Sequence, residues 1–237
     1  MIEYDMTFGS PEENLIIDNF LLKQAEKTGQ EYFRFWEASS VFVVLGRIGD
    51  PQQDIKIEAV KKEGVAVYRR CSGGGTVLQG PGCLNYTLVL DKERDPALSD
   101  IRKSYQYILA KVCDALRFSG IRCCTHPISD IALENGKKIS GNAQKRGRKF
   151  ILHHGTFLCD FQLSLIEKYL AMPKDMPDYR ARRLHLDFVA NLGLPSGDIK
   201  ANLKKVFDCQ KVNTFLSEEE MCLFKNMLVH QKVSVDI

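Results

Sequence analysis

The chain has 237 residues, 44% of them hydrophobic and 27% charged, which is enough apolar material for one large core. A net charge of +3 and a pI near 8.3 fall short of the strongly basic domains that hold nucleic acid through charge alone. No apolar run is long enough to span a bilayer, and residues 1–10 lack the basic-then-apolar layout of a signal, so a cytoplasmic protein with no membrane or nucleic-acid partner is expected.

Eight cysteines, at positions 71, 83, 113, 123, 124, 159, 209 and 222, form no Cys-x-x-Cys pair. That spacing argues against a zinc or thioredoxin-type site, and no metal centre is expected. Without a secretion signal they read as reduced thiols, most of them small core residues.

Ser10, Pro11 and Glu13 open a helix: a capping hydroxyl, proline in the first turn, and an acid three residues after the cap. Leu15, Ile16, Phe20 and Leu21 recur at helical spacing to about Lys27, and Thr28-Gly29 ends the run. Phe33 and Phe35 alternate with Arg34 in a strand, and residues 41–45 read as a second, fully buried one that stops at Gly46-Arg47. A helix is expected over 55–62, closed by Gly64, then a buried strand over 65–68.

That strand feeds Arg69, Arg70, Cys71, Ser72, Gly73, Gly74, Gly75 and Thr76. Three adjacent glycines are costly in an ordered element but let backbone N–H groups approach a ligand as an anion-binding nest. Neighbouring arginines add bidentate donors for phosphate or carboxylate. Taken alone, the stretch also fits a flexible turn with incidental surface arginines. It is neither a mononucleotide P-loop nor a dinucleotide fingerprint.

Beyond the loop, Leu84, Tyr86, Leu88 and Leu90 share one face of a strand and Asn85 and Thr87 the other. Residues 96–118 form an amphipathic helix with Ile101, Tyr105, Ile108, Val112 and Leu116 as its core stripe. Residues 131–133 and 138–140 pair as a hairpin across Asn135-Gly136. A further strand, 150–161, carries His153-His154-Gly155-Thr156, and helices are expected over 163–170, 199–207 and 218–230. No composition break divides the chain, so 1–237 is read as one α+β domain: a central mixed, largely antiparallel sheet flanked by helices.

Lys138 is the second chemical signal, set beside the hairpin turn and followed by Ile139, Ser140, Gly141, Asn142 and Ala143. On its own it also fits a solvated hairpin lysine. Together, Arg-Arg-Cys-Ser-Gly-Gly-Gly at 69–75, Lys-Ile-Ser-Gly-Asn-Ala at 138–143 and His-His-Gly-Thr at 153–156 resemble the lipoate–protein ligase family. That family lies within the group that includes biotin ligases and octanoyltransferases. Leu45-Gly46-Arg47, Leu84-Asn85-Tyr86 and Ser129-Asp130-Ile131 resemble further family segments, and the resemblance spans roughly residues 12–160.

The resemblance implies the biotin/lipoate ligase catalytic fold and a two-step reaction. Lipoate or octanoate and ATP, with Mg2+, give an acyl-adenylate, and a lysine of an apo-lipoyl-domain acceptor then takes the acyl group. The acceptor would be a 2-oxoacid dehydrogenase subunit or a protein like the H protein of glycine cleavage. By the same resemblance Lys138 is catalytic and touches both acyl carbonyl and phosphate. Arg70, Gly75, Thr76, Val77 and Leu78 would hold the nucleotide, while Ser72, Gly73, Gly74, His154 and Gly155 would hold the acyl group. Arg47, Asn85 and Asp130 are further candidates. Such a tail favours an apolar tunnel, since burial is worth ~0.8 kcal/mol per methylene.

Two residues depart from the family pattern: Cys71, where arginine, proline or threonine is usual, and Gln79, where histidine is common. The chain after Asp160 suffices to finish the catalytic domain, so no separate C-terminal accessory domain is expected. An independent accessory protein, adenylation without one, or transfer of a preformed acyl group all remain open. The rival reading is an acyltransferase working through a thioester on Cys123 or Cys124. A nucleic-acid module, suggested by the basic residues at 145–149 and 180–185, leaves the three motifs without a purpose.

Overall fold

The computed structural model describes residues 1–209, 211–213 and 215–237, with the side chains of 211–213 excluded. Its strands are β1 (Ile2–Asp5), β2 (Tyr32–Glu37), β3 (Phe42–Leu45), β4 (Ala66–Arg69), β5 (Val77–Gln79), β6 (Cys83–Asp91), β7 (Cys123–His126), β8 (Asp130–Leu133), β9 (Lys138–Arg146), β10 (Phe150–Leu158) and β11 (Lys211–Asn213). The α-helices are α1 (Pro11–Thr28), α2 (Pro51–Asp54), α3 (Ile57–Lys62), α4 (Ile101–Arg117), α5 (Ser164–Tyr169), α6 (His185–Phe188), α7 (Ser196–Val206) and α8 (Glu218–His230). None of the described helices is long and apolar enough to cross a membrane.

An eight-stranded sheet in the order β11-β1-β2-β6-β10-β9-β8-β7 forms the centre. Pairing is parallel at β11-β1-β2 and antiparallel from β2 to β7, in line with the expected mixed, largely antiparallel sheet. A second, three-stranded sheet, β4-β3-β5, carries the glycine-rich loop between β4 and β5. That separate sheet is not foreseen by the sequence reading, because strands of three and four residues carry too little alternation to register.

Local signals act where they were read. Ser10 Oγ accepts from the Glu13 amide at 3.2 Å while Glu13 Oε2 accepts from the Ser10 amide at 3.1 Å, and Gly29 closes α1 at φ 77°. Asn135-Gly136 turns β8 into β9, with Gly136 at φ 74°. On one face of the large sheet, Leu84, Tyr86, Leu88 and Leu90 of β6 pack with Ile108, Val112 and Leu116 of α4 and Ile199 and Leu203 of α7. Each such buried aliphatic chain contributes roughly 1.5–3 kcal/mol. The other face is covered by α1 and α8, through Ile16, Ile17, Phe20 and Phe224.

Several expected bounds shift. Ile101 is 55% exposed, because Pro96–Ser99 is a separate 3₁₀ turn and α4 begins only after the Asp100 cap. The helix expected over 55–62 starts two residues later, as α3, because Ile55 lies in a bridge to Leu170 between α2 and α3. β4 is an edge strand with Ala66 exposed rather than a buried one. Its free edge is met by the C-terminal stretch, where the Arg69 amide bonds Val233 O at 2.7 Å and the Val235 amide bonds Val67 O at 2.8 Å.

Of the eight cysteines, Cys83, Cys113, Cys123 and Cys159 are buried, while Cys124 and Cys222 are exposed. All are free thiols.

Candidate active site

A cavity of about 150 Å³ lies where the glycine-rich loop folds over β6, β9 and β10. Leu15, Trp36, Val44 and Val77 give it apolar walls; Asn85, Thr156, Asp130 and Lys138 bring polar groups to it. Most of the residues proposed from the sequence therefore converge here: Arg70, Gly74, Gly75, Thr76, Val77, Lys138, His154, Gly155, Asn85 and Asp130 all line it. Ser72, Gly73 and Leu78 do not reach its wall, although Ser72 hydrogen-bonds a residue that does. Arg47 is an exposed residue whose amide bonds Ser72 O at 2.8 Å, so its backbone rather than its side chain is fixed against the loop.

Gly46 explains how the loop is seated. A Cβ on Gly46 would stand 2.0 Å from Gly74 O, so the 46–49 turn and the glycine loop touch backbone to backbone. Gly74 itself sits at φ +87°, the region glycine adopts without strain. Both arginines of the motif serve this seat. Arg69 Nη1 donates to Gly46 O at 2.9 Å and Gly49 O at 2.8 Å.

Arg70 Nη2 donates to Gly73 O at 2.7 Å and Gly75 O at 2.8 Å, and its Nε to Ser72 Oγ at 3.0 Å. Burial pushes the Arg70 guanidinium down to about 10, still charged at neutral pH. The sequence reading gives these guanidiniums to an incoming anion, whereas in the structure Arg69 Nη1 and Arg70 Nη2 donate to loop carbonyls.

Lys138 begins β9 and its side chain crosses Gly141, where a Cβ would lie 3.0 Å from Nζ. The ammonium is held by Asp130 Oδ1 at 2.8 Å. Asp130 Oδ2 in turn accepts from the Tyr179 hydroxyl at 2.7 Å, and Tyr179 stacks on His126 with ring centres 4.0 Å apart. Burial and the Asp130 charge push the Tyr179 phenol well up, so it stays a donor. Behind the lysine the Ala190 amide bonds Lys138 O at 2.9 Å, bringing the C-terminal half of the chain to the site. Tyr179 lies beyond the recognisable motifs, and no local pattern marks it.

The two adjacent histidines enter opposite faces of the large sheet. His153 is fully buried, takes a hydrogen bond from Gln144 at 3.1 Å and meets Tyr86 Oη at 3.3 Å. Burial holds its pKa down at about 3, so the ring is neutral. His154 faces the cavity, with Nδ1 2.9 Å from Asp18 Oδ2 and Nε2 2.6 Å from Ser72 Oγ. Asp18 also binds Arg34 Nη1 at 3.1 Å. Burial alone would raise the Asp18 carboxyl, but the His154 hydrogen bond and the Arg34 charge outweigh it, and its pKa is lowered.

Asp18 and Trp36, both in the cavity wall, are absent from the sequence-derived site. Asn14 and Asp18, four apart on α1, are the available signal: polar groups at the spacing that places them on one helix face.

The rival cysteines separate. Cys123 is buried in the α4-side core, whereas Cys124 is exposed with Sγ 3.5 Å from His126 Nε2. Of the basic clusters, Arg148, Lys149 and Arg182 are exposed and the rest are engaged. Lys145 bonds Asn19 Oδ1 at 2.6 Å, Arg146 the carbonyls of Leu98 and Ser99, and Arg180 is buried beneath Phe188. A shallower cleft of about 390 Å³ between Arg117, Arg122 and Glu134 holds none of the motif residues.

Sheet, seated loop and hairpin lysine together define a catalytic domain of the biotin/lipoate ligase type. Within that class, the pattern of the lipoyl protein ligase A/B catalytic domain matches residues 10–207, and the chain belongs to that family. It is 30% identical over 166 residues to a probable lipoate-protein ligase A of Mycoplasma pneumoniae, covering 69% of this chain and 47% of that protein.

To the human mitochondrial lipoyl amidotransferase LIPT1 it is 28% identical over 161 residues, 68% of this chain and 41% of that protein. The chain thus spans under half the length of these two relatives. Among solved structures it is similar to the bi-partite lipoate protein ligase of Thermoplasma acidophilum, studied with its E2 lipoyl domain, at TM-score 0.81 and 20% identity, covering 96% of this chain and 91% of that one. A lipoate-protein ligase A bound with ATP follows at TM-score 0.78 and 20% identity, covering 96% and 93%.

Proposed function

We propose that this chain activates lipoate or octanoate with ATP and transfers the acyl group to a lysine of a lipoyl-domain acceptor. The observation that carries the reading is the Lys138 ammonium, pinned by Asp130 at 2.8 Å in the wall of the loop-covered cavity. An ammonium has three donors. Asp130 takes one, leaving two to bridge the acyl carbonyl and the α-phosphate in a single geometry. Attack of a carboxylate on the already anionic α-phosphorus, with the Pα–O bond to pyrophosphate breaking and pyrophosphate leaving, needs fixed positive charge where negative charge accumulates, and a preorganised cation supplies it.

The same ammonium then polarises the mixed anhydride while the acceptor amine attacks its carbonyl carbon, forming the amide and releasing AMP. Arg70 contributes charge from behind the loop, and Gly75, Thr76, Val77 and Leu78 supply backbone along the nucleotide. The apolar wall of Leu15, Trp36, Val44 and Val77 suits an acyl chain and keeps water from the anhydride. The cavity's 150 Å³ is below the roughly 300–1,000 Å³ of usual ligand sites, so the cavity widens when both substrates enter. Among the described residues no group of three His, Cys, Asp or Glu side chains is placed to hold a metal.

A thiol route is the second reading, favoured by the exposed Cys124 beside His126. ATP–pyrophosphate exchange with the purified chain tests the two. Lipoate-dependent exchange is the expected result. Its absence, together with transfer from synthetic lipoyl-adenylate to an apo-lipoyl domain, would restrict the chain to the second step. Transfer lost in Cys124→Ser but retained in Lys138→Ala would favour the thiol.

A further inference from the structure

Four side chains from different parts of the chain form one hydrogen-bonded line behind the cavity. Arg34 on β2 binds Asp18 on α1 at 3.1 Å; Asp18 binds His154 on β10 at 2.9 Å; His154 binds Ser72 in the loop at 2.6 Å. Arg70 closes the line by donating to Ser72 Oγ at 3.0 Å while its Nη2 holds Gly73 O and Gly75 O. Arg34, Asp18 and Ser72 are buried at 0%, 3% and 1% exposure.

One proton arrangement satisfies every member. Asp18 is an ionised acceptor, already bound by Arg34, so His154 Nδ1 carries the proton that faces it. In the neutral ring Nε2 is then an acceptor, and Ser72 donates its hydroxyl proton there. Ser72 Oγ keeps its lone pairs for Arg70 Nε–H. A doubly protonated ring would leave the Ser72 hydroxyl proton with no acceptor among the contacts seen here.

We propose that Asp18 and Arg34 are positioning residues which, through His154 and Ser72, hold the glycine-rich loop in the shape that closes over the acyl substrate. This line adds to the seat made by the Gly46 turn, the Arg70 donors and the Thr76 hydroxyl, which bonds Asp54 Oδ2 at 2.7 Å. Gly73, Gly74 and Gly75 have no side chains to pack, and glycine yields the most backbone freedom when ordered. A rigid anchor in the sheet and α1 supplies the order that the loop's own sequence withholds, and a substrate pocket works only when its lining groups are held by such supports. The loop's path is transmitted onward, since the Arg47 amide bonds Ser72 O at 2.8 Å.

The connectivity is that of a Ser–His–Asp triad, but Ser72 is boxed between Arg70 and His154, 1% exposed and outside the cavity wall. It is a link rather than a nucleophile.

The inference rests on the acyl-transfer reading only for its kinetic consequence, so its test has a ligand-free arm. In the ¹⁵N-labelled full chain, His154 should show a protonated Nδ1 and a bare Nε2. Ser72→Ala should speed hydrogen exchange of the Arg47 amide about tenfold, the size of one lost hydrogen bond to a charged group. The Tyr86 amide, in the central strand, should not change. Asp18→Asn should do the same, and Ser72→Ala alone carries the test if Asp18→Asn does not fold, because it leaves the Arg34–Asp18 pair intact.

In acyl transfer, Ser72→Ala should raise KM for lipoate about tenfold with kcat within about threefold. A protonated Nε2 with bare Nδ1, an unaltered Arg47 amide in Ser72→Ala, or a fall in kcat alone would overturn the proposal. Labelling of Ser72 by a fluorophosphonate would overturn it in favour of a nucleophile. Absence of any acyl turnover by the wild type would instead reject the acyl-transfer reading and leave the ligand-free result standing.

Discussion

His153 and His154 are chain neighbours that meet opposite surroundings. Strand alternation sends His153 to the α4 side, into a line of neutral groups: Ser104 Oγ donates to Gln144 at 3.0 Å, Gln144 reaches His153, and Tyr86 Oη donates to Asn142 at 2.6 Å. His154 goes to the α1 side, where the line ends in a buried arginine–carboxylate pair. The His154 line ends in buried fixed charge and borders the cavity, whereas charge touches the His153 line only through Arg146, 3.4 Å from Ser104 Oγ. A neutral network specifies packing. A charged one also costs desolvation, which an active site justifies by what the charge does to a substrate.

The largest expected effect tests whether charge is what the cavity side contributes. Lys138→Ala should lower acyl activation by at least ~10²–10³, as loss of one transition-state contact does. Lys138→Arg should not restore it, because a planar fork replaces a point charge poorly. Near-normal turnover by either variant would remove the distinction between the sides.

Gly155→Ala tests the seam between them. Its Cβ would fall 1.9 Å from Asn142 Oδ1 and 2.7 Å from Tyr86, so a loss of about 1–3 kcal/mol is expected from urea denaturation, the usual cost of overpacking.

Acid should separate the two faces. His153 takes its proton below about 6.5 when unfolded but only near 3 when folded, so the unfolded chain gains protons first. Stability should therefore fall with pH from about 6.5 downward, by about 1.4 kcal/mol per pH unit from this group. In His153→Phe that slope should be reduced, as read from urea midpoints at pH 6.5 and 5.5. Asp18 has its pKa lowered below 3.8, so its contribution persists above 3.8 and is lost only in stronger acid. Ser104→Ala is the smallest change, roughly 0.5–1.5 kcal/mol with transfer activity retained.

Much of this arrangement is legible before folding. The Ser10 cap, the Asn135-Gly136 turn and the alternation of β6 each state a local geometry in residue types alone, and the motifs around Ser72, Lys138 and His154 do meet in space. Asp18 stays hidden because α1 is buried on most sides, from Asn14 to Ala25 with few exposed positions. A helix enclosed in this way loses the polar stripe against which an inward carboxylate would stand out. Arg69 and Arg70 are only partly legible for a related reason: the sequence shows that guanidiniums lie beside glycines, not that glycine carbonyls take up Arg69 Nη1 and Arg70 Nη2. The basic residues at 145–146 and 180 show the same pattern, positive charge spent on backbone oxygen and buried neighbours rather than offered to a partner.

Gly46 and Gly74, whose backbones leave no room for a Cβ at position 46, carry a consequence for how such a chain can diversify. Each looks replaceable by itself, one in an ordinary turn and the other in a run of three. Because a side chain at 46 would land on the carbonyl of 74, any viable route through sequence space must move both turns together. A saturation library at 46 should thus yield functional variants only alongside changes in the 70–76 loop, and the two turns behave as one heritable unit.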